Sequence, residues 1–238
     1  MAKDKAVVIF SGGIDSTTLL YNTINLGYDV IAVTFNYGQK HHIELEYARR
    51  IAKILDIPHE ILVVPHLLGS SLTDKDGKIP KDDYSVETQK STVVPNRNMV
   101  FISIAANYAI ALGASMVFYG AHANDRAVYP DCTKPFVDAV NLAVKAGNYE
   151  QIRVIAPFLN WTKAQIVERG KKLGVPFHLT WSCYDPFHEF KNIHEGGSYV
   201  HCGTCGTCRE RKNAFVDADV MDPTVYLVAF TGDLQDEV

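Results

Sequence analysis

The sequence predicts an α/β protein built on a doubly wound, mostly parallel five-stranded sheet, with a smaller helical, cysteine-rich region at its C-terminal end. Two observations predict this class. Apolar runs of strand length alternate with helix-like segments through most of the 238 residues, which is typical of parallel βαβ units with right-handed crossovers. Four of the five cysteines lie between Cys183 and Cys208. We therefore expect an α/β domain over residues 1–180 and a metal-binding region over residues 181–238.

Each predicted strand is a short apolar run, and the predicted helices show helical spacing of apolar residues or helix start and stop signals. The strands are expected at residues 6–10, 29–35, 59–64, 114–119 and 153–156. The helices are expected at about residues 15–26, 44–55, 99–112, 133–147, 160–174 and 209–217. Ligands of such sheets bind beyond the carboxyl ends of the strands, so we expect the functional site there.

A glycine turn follows the first strand and has the features of a phosphate cradle. Gly12 and Gly13 lack Cβ atoms, so backbone N–H groups can approach an anion, and the next helix directs its positive end at it. Asp15 fits beside phosphates if it holds Mg²⁺ between them, although Asp15 or Ser16 could simply cap the helix. The complete stretch between strand and helix favours nucleotide binding. The predicted nucleotide-binding residues are Phe10, Ser11, Gly12, Gly13, Asp15, Ser16, Thr17 and Thr18.

Composition and charge narrow the class of function. Apolar residues make up 47% of the chain and charged residues 21%, as in an ordinary soluble protein. A formal charge of −4 argues against a broad nucleic-acid-binding surface, which needs a positive field. No apolar stretch approaches the roughly 18 residues of a membrane span. We therefore expect a cytoplasmic protein that acts on small molecules, with no nucleic-acid or membrane partner.

Two basic residues lie where a helix dipole disfavours them. Arg97 and Lys163 fall at predicted helix starts, and the positive end of a helix dipole opposes a positive side chain. A phosphate or carboxylate partner would remove this conflict, so we predict that both residues bind anionic groups. The alternative is an exposed position on the surface, where the conflict costs only tenths of a kcal/mol.

Polar and aromatic side chains follow two predicted strands. Residues 35–42 are placed to contact nucleotide or substrate, or else form a surface turn. After the fourth strand, Asp125 and Asp131 share one short segment with a histidine, a tyrosine and Cys132, which predicts a substrate pocket. Cys132 is a candidate nucleophile or a structural cysteine. Residues 69–94 lack sustained periodicity, which is typical of a lid, a binding loop or disorder.

The C-terminal cysteines have the spacing of a metal site. Cys202, Cys205 and Cys208 form two overlapping Cys-x2-Cys turns, and Cys183 supplies a fourth thiolate upstream. Structural Zn²⁺ is commonly bound by four cysteines in a tetrahedron with no open position, so we predict structural zinc. An iron–sulfur cluster is the rival interpretation. Substitutes for Cys183 are His188, His194 and His201.

The glycine turn resembles the pyrophosphate loop of the ATP pyrophosphatases, and the ordered set of motifs is similar to their 7-cyano-7-deazaguanine synthase family. The motifs that carry the resemblance are Ser-Gly-Gly-x-Asp-Ser from Ser11, Tyr37-Gly38-Gln39-Lys40-His41, Val94-Pro95-Asn96-Arg97-Asn98, Tyr129-Pro130-Asp131-Cys132, Trp161-Thr162-Lys163-Ala164, Ser182-Cys183-Tyr184 and the final cysteine turns. Two departures stand out. After Cys132 this chain has Thr133 and Lys134, where the family usually has arginine and proline, and Lys134 is a candidate substitute for the arginine. The spacer between Cys183 and Cys202 is also longer than expected for the family.

The resemblance implies a fold like that of the adenine nucleotide alpha hydrolases and a ligase that uses ATP. It implies conversion of 7-carboxy-7-deazaguanine and ammonia to the nitrile 7-cyano-7-deazaguanine, a precursor of queuosine or archaeosine in tRNA. Asp15, Arg97 and Lys163 would be the catalytic residues. Arg97 and Lys163 would also bind substrate, and Asp125 and Asp131 would accept hydrogen bonds from the deazaguanine. ATP with Mg²⁺ and structural Zn²⁺ would be the cofactors.

Other functions remain open on the sequence alone. A tRNA thiolase or another RNA-modifying relative would use the same loop with a catalytic cysteine. A binding module built on the zinc region, without catalysis, is a third hypothesis. Residues 225–230 are apolar, and we expect them to pack in a homodimer interface.

Overall fold

The main sheet has five parallel strands, as predicted. The computed structural model describes residues 3–64, 67–81, 89–188 and 199–227. Its main-sheet strands are β1 (Lys5–Ile9), β2 (Asp29–Asn36), β3 (His59–Val63), β4 (Met116–Phe118) and β5 (Arg153–Ile155). They pair in parallel in the order β3-β2-β1-β4-β5. The order reverses beside β1, which puts a crevice at the carboxyl end of that strand.

The helices lie within a few residues of their predicted bounds. They are α1 (Ile14–Asn25), α2 (Ile43–Ile54), α3 (Arg97–Ala111), α4 (Lys134–Ala146), α5 (Lys163–Leu173) and α6 (Gly206–Asp217). Helix α5 begins at a capping box, in which the Thr162 side chain accepts from Gln165 N–H, and ends at Gly174 in the left-handed region. Helix α1 follows Gly13 without any side-chain cap, so Asp15 and Ser16 are not capping residues.

Helices cover both faces of the sheet. On one face, Phe101 of α3 and Val137 of α4 join a core with Val7 and Val117 of the strands. A second core, on other residues of the same strands, contains Leu19, Ile51, Ile166 and Phe215 of α1, α2, α5 and α6. Residues that alternate along β1 enter the two cores, since Val7 joins the first and Val8 the second. The predicted doubly wound α/β class is confirmed.

The C-terminal region packs directly on the α/β domain. The side chain of Arg211 in α6 is fully buried. Its guanidinium donates to Thr180 Oγ1 at 2.8 Å and to the Phe177 carbonyl at 3.0 Å, and pairs with Asp222 at 3.2 Å. A second, two-stranded sheet joins β6 (Phe187–His188) to β7 (Tyr199–Val200). The region is therefore an integral part of the fold.

The long segment predicted between the third strand and α3 has little regular structure in its described parts, residues 69–81 and 89–94. One 3-10 turn covers Lys90–Thr92, and Leu72 is fully buried. Residues 82–88 of the segment lie outside the described residues. Among the helices that the structure describes, none combines the length and the apolar character needed to cross a bilayer.

Candidate active site and metal centre

A cavity of about 230 Å³ opens at the carboxyl ends of β1, β2 and β4. Its walls come from the glycine loop, the residues after β2 and β4, and the starts of α2, α3, α5 and α6. Parallel strands bring these segments to one edge of the sheet even though they are far apart in sequence. The cavity contains most of the predicted site residues.

The glycine loop forms the floor of the cavity. Ser11 and Ser16 fix its shape, because Ser11 N–H donates to Ser16 Oγ at 3.2 Å and the two hydroxyl oxygens lie 3.1 Å apart. Gly12 has φ of +82°, and a Cβ there would lie 3.0 Å from the backbone nitrogen of Ala48. Only glycine fits both conditions. The loop residues that line the cavity are Phe10, Ser11, Gly13, Asp15 and Ser16.

Three of the predicted nucleotide-binding residues, Gly12, Thr17 and Thr18, are not part of the cavity wall. Thr17 and Thr18 are fully buried within α1, and a Cβ added to Gly170 of α5 would lie 2.8 Å from Thr18 Oγ1. Thr18 therefore packs α1 against α5.

A lysine lies between two carboxylates beside the loop. Lys163 Nζ is 2.6 Å from Glu210 Oε2 and 3.3 Å from Asp15 Oδ2. Lys163 lies at a helix start, where the sequence predicts an anionic partner, and these two carboxylates are such partners. Burial alone would raise the pKa of Asp15, but the charges of Lys163 and His122 lower it below its usual value. Asp15 is therefore ionised at neutral pH.

The residues after β4 add a histidine and a further carboxylate. His122 Nε2 lies 3.2 Å from Asp125 Oδ2 and 3.7 Å from Asp15 Oδ2. Burial raises the pKa of Asp125 despite the opposing charge of His122. Asp125 lines the cavity, whereas Asp131 does not. Asp131 instead accepts a hydrogen bond from Asn98 N–H at 3.1 Å, in the first turn of α3.

The aromatic end of the cavity contains Arg97. The Arg97 guanidinium lies 3.4 Å from Tyr37 Oη and stacks over the Tyr37 ring at 6.0 Å from its centroid. Within the described parts of the chain, no carboxylate oxygen lies within 4.0 Å of this guanidinium. A partly buried cation without such a partner favours an anionic ligand.

A buried acid completes this end of the cavity. Glu44 accepts a hydrogen bond from Gln39 Nε2 at 2.8 Å and lies 3.5 Å from His41 Nε2. Burial raises the pKa of Glu44 to about 7 and lowers that of His41 to about 3. Phe35, Tyr37 and His41 of residues 35–42 therefore belong to the cavity wall, whereas Gly38 and His42 are exposed. His41 is neutral, buried and paired with a carboxylate.

Neither Lys134 nor Cys132, at or beside the departure from the family pattern, is placed for a catalytic role. The Lys134 ammonium is exposed and pairs with Asp138 at 2.6 Å, and Lys134 is not part of the cavity wall. Cys132 lines the cavity, but burial and the carboxylates of Asp125 and Asp131 raise the pKa of its thiol. A thiol that resists ionisation is a poor nucleophile.

The four predicted metal ligands form a compact cluster. The Sγ atoms of Cys183, Cys202, Cys205 and Cys208 all lie within 4.8 Å of one another, and the four residues are buried. A Zn–S distance of about 2.3 Å in a tetrahedron places the sulfur atoms about 3.8 Å apart, so this donor set fits zinc. Cys202 N–H and Cys205 N–H donate to neighbouring sulfur atoms at 3.2 and 3.3 Å, which stabilises thiolates.

The alternative ligands are less well placed. His201 Nε2 accepts a hydrogen bond from Ser182 N–H at 3.1 Å, which occupies that nitrogen. His194 and the side chain of His188 lie outside the described residues. Cys183 is therefore the fourth sulfur of the cluster despite its long spacer.

Comparison with known proteins identifies the family. The family model described as "Queuosine biosynthesis protein QueC" matches residues 5–219. This chain belongs to the QueC family. A 7-cyano-7-deazaguanine synthase of Caldicellulosiruptor bescii is 47% identical over 93% of this chain and 97% of its own. A 7-cyano-7-deazaguanine synthase of Methanoregula boonei is 46% identical over 93% of this chain and 99% of its own.

A solved structure with low sequence identity also resembles this chain. A 4-thiouridine synthetase bound to RNA and ATP covers 91% of this chain and 50% of its own, with 18% identity and a TM-score of 0.45. The sequence match therefore carries the family assignment.

The sequence indicates no role for several cavity residues. Glu44 and Glu210 lie in ordinary helical segments, and Tyr184 belongs to a motif of the family resemblance that assigns it no role. All three line the cavity. The position of Glu210, two residues after Cys208, could have indicated its place in the cavity. A zinc site that packs on the loop also places the first turns of α6 beside the loop. His122 was visible only as one member of a polar segment.

Proposed function

We propose that this chain is an ATP-dependent ligase that converts 7-carboxy-7-deazaguanine and ammonia to 7-cyano-7-deazaguanine. The near-complete family match supports the substrate. The observation that carries the chemistry is that a phosphate-binding loop and Arg97 open into the same cavity. A triphosphate on the loop and a carboxylate on the arginine would meet there.

The reaction needs ATP because a carboxylate is a poor electrophile with a poor leaving group. A carboxylate oxygen attacks the α-phosphorus, pyrophosphate leaves, and ammonia then displaces AMP to give the amide. The amide oxygen is adenylated by a second ATP in the same way. Loss of AMP and of the amide protons then leaves the nitrile. One phosphate site serves both rounds, which agrees with the single glycine loop of the described chain.

The loop residues bind and orient the departing pyrophosphate. Ser11 and Ser16 present hydroxyl groups, and Gly13 lets the backbone approach the phosphates. Lys163 places a positive charge at the loop, where negative charge develops on the phosphates. Asp15 Oδ1 is buried without a hydrogen-bond partner, which fits a carboxylate that holds Mg²⁺. The bound Mg²⁺ would neutralise phosphate charge.

Arg97 binds the substrate carboxylate at the aromatic end of the cavity. The rings of Tyr37 and Phe101 supply an apolar wall for a planar heterocycle. Asp125 is a hydrogen-bond acceptor for the N–H groups of the deazaguanine. Asp131 serves the substrate only indirectly, by its hydrogen bond at the start of α3.

Zinc at the four cysteines has a structural role, because four protein ligands leave no position for water or substrate. We also propose a cytoplasmic homodimer that does not bind nucleic acid. Val225 is 68% exposed and Leu227 42% exposed, which supports a partner surface at this end of the chain. Residues 228–230 of the predicted interface lie outside the described residues.

The test is to incubate the purified protein with 7-carboxy-7-deazaguanine, ATP and ammonium and to follow the products by mass spectrometry. We expect the amide first and then the nitrile, with AMP as the nucleotide product. A protein that forms neither the amide nor the nitrile would contradict the proposed function. Transfer of sulfur to tRNA would instead support a thiolase, which the buried Cys132 thiol disfavours.

A further inference from the structure

The zinc cluster and the phosphate site share a helix. We propose that Glu210 is a positioning residue that fixes Lys163 for nucleotide binding, and that the zinc cluster holds Glu210 in place. This inference rests on the proposed function for its ATP site and goes beyond it by giving the zinc cluster a part in nucleotide binding.

The contact between Glu210 and Lys163 is short and buried. Glu210 Oε2 lies 2.6 Å from Lys163 Nζ, and only 9% of the Glu210 side chain and 12% of the Lys163 side chain are exposed. Lys163 also contacts Asp15, at the longer distance of 3.3 Å. Charge-assisted hydrogen bonds are short, and Glu210 is the closer of these two carboxylate partners.

The cluster determines where Glu210 lies. Helix α6 begins at Gly206, directly after Cys205, and Cys208 lies in its first turn. Glu210 and Thr207 are the residues of this helix that line the cavity. Zinc at Cys205 and Cys208 would therefore anchor the turn that carries both side chains. Arg211 fixes the next position through its bonds to Thr180 and Phe177.

The cluster also contacts the loop from a second side. Trp181 N–H donates to the Gly12 carbonyl at 2.9 Å, and Trp181 Nε1 donates to the Cys183 carbonyl at 2.9 Å. A Cβ on Gly13 would lie 3.4 Å from the Trp181 carbonyl oxygen. The segment before Cys183 thus bonds to the loop, while the helix after Cys205 contacts Lys163.

A lysine needs such a partner because its four-carbon stem has many rotamers. Without the Glu210 carboxylate, the contact with Asp15 at 3.3 Å would be the remaining ion pair of Lys163 among the described residues. Its ammonium would then compete with Mg²⁺ for the carboxylate that the nucleotide requires. We therefore expect loss of Glu210 to weaken the binding of ATP with Mg²⁺, although it removes a negative charge from a phosphate site.

The experiment measures ATP affinity by calorimetry in the zinc-loaded full chain with Mg²⁺. Glu210→Gln should weaken affinity about tenfold or more, the size of one charge-assisted hydrogen bond. In a Lys163→Gln background the same change should have no further effect, because Glu210 acts through Lys163. Glu168→Gln, on the exposed side of α5, is the matched control and should bind ATP like the wild type.

A second variant separates position from charge and keeps the test valid if Glu210→Gln does not fold. Glu210→Asp keeps the charge but withdraws the carboxylate by one methylene group, and we expect it to share the loss of affinity. Replacing Cys205 by serine should also weaken binding, and Glu210→Gln should add nothing in that background. Zinc content should stay at the wild-type level in both Glu210 variants.

Three results would overturn this inference. They are wild-type ATP affinity in Glu210→Gln or Glu210→Asp, additive losses with Lys163→Gln, and loss of zinc in Glu210→Gln, which would indicate a structural role. These results are independent of the substrate. If the wild type binds ATP and shows the expected coupling but forms no nitrile, only the proposed function fails. If nitrile forms and Glu210→Gln has no effect, only this inference fails.

Discussion

Lys163 Nζ and Asp15 Oδ2 lie 3.3 Å apart, which joins the start of α5 to the start of α1 at the floor of the cavity. The two residues come from helices on the same face of the sheet and are 148 positions apart (163 − 15). The contact places one fixed positive and one fixed negative charge next to the glycine loop. A nucleotide with bound Mg²⁺ has complementary charges, because its phosphates suit Lys163 and its Mg²⁺ suits Asp15.

Asp15→Ala is predicted to abolish turnover while the protein remains folded. Asp15 is the ionised carboxylate of the loop, and its loss removes the ligand that we assign to Mg²⁺. We expect nitrile formation to fall by at least about a hundredfold, which is about 2.7 kcal/mol of transition-state stabilisation. Steady-state rates and circular dichroism check this prediction. Asp29→Asn, at an exposed position, should keep wild-type rates, and substantial activity in Asp15→Ala would mean that the loop role is wrong.

Arg97→Ala is predicted to raise KM for the carboxylated substrate with little change in ATP affinity. The guanidinium lies beside Tyr37 in the cavity and binds the carboxylate in the proposed mode. Loss of a charge-assisted contact of about 1.5–3 kcal/mol corresponds to a tenfold rise or more. Kinetics with each substrate varied separately measure the effect. Arg49→Ala on the exposed face of α2 is the control, and a larger effect on ATP than on the carboxylate would contradict the assignment.

Cys205→Ser is predicted to lose zinc and thermal stability together. A structural zinc site can supply about 10–16 kcal/mol of apparent folding free energy in small peptides, so the loss of one ligand should destabilise the whole C-terminal region. Metal analysis and thermal unfolding of the same sample test this. Cys132→Ser is the matched control, since its sulfur is outside the cluster, and it should retain zinc. Unchanged metal content in Cys205→Ser would contradict the four-cysteine site.

Glu44 is predicted to make stability fall as pH rises toward neutrality. The folded protein raises the pKa of Glu44 from 4.5 to about 7 by burial. Between these values the folded state keeps a proton that the unfolded state has lost, so this contribution is present below about pH 4.5 and is lost through about pH 7. At about 1.4 kcal/mol for each unit of pKa, the rise from 4.5 to about 7 corresponds to at most about 3.5 kcal/mol.

The measurement compares the free energy of unfolding of the wild type and Glu44→Gln at pH 5 and pH 8. Between pH 5 and pH 8, the free energy of unfolding of the variant should rise by up to about 3 kcal/mol relative to that of the wild type. His41 contributes to the wild type with the opposite sign, because burial lowers its pKa to about 3. A constant difference between the two proteins would mean that Glu44 titrates normally.

The fold was predictable because its signals are local. The apolar runs of β1 and β2 are long enough to be buried on both faces, and Gly174 and Thr162 mark the ends of α5 by backbone chemistry alone. The glycine loop is equally local, since Gly12 is required by a positive φ and a close approach of α2.

Part of the site was not predictable, for a physical reason. Glu44 and Glu210 gain their roles only from burial in the assembled fold, and a charged residue in a helix carries no mark of which neighbours will surround it. Asp131 shows the converse. Its motif suggested the pocket, but the turn that carries it directs the carboxylate to the N–H of Asn98.

The most direct test of the account follows oxygen from substrate to nucleotide. We would supply 7-carboxy-7-deazaguanine with ¹⁸O in both carboxylate oxygens and examine the nucleotide products by mass spectrometry. If the substrate oxygen attacks the α-phosphorus in both rounds, each AMP carries one ¹⁸O and the nitrile retains none. Unlabelled AMP, or ADP as the nucleotide product, would contradict the central claim that the loop directs attack to the α-phosphate.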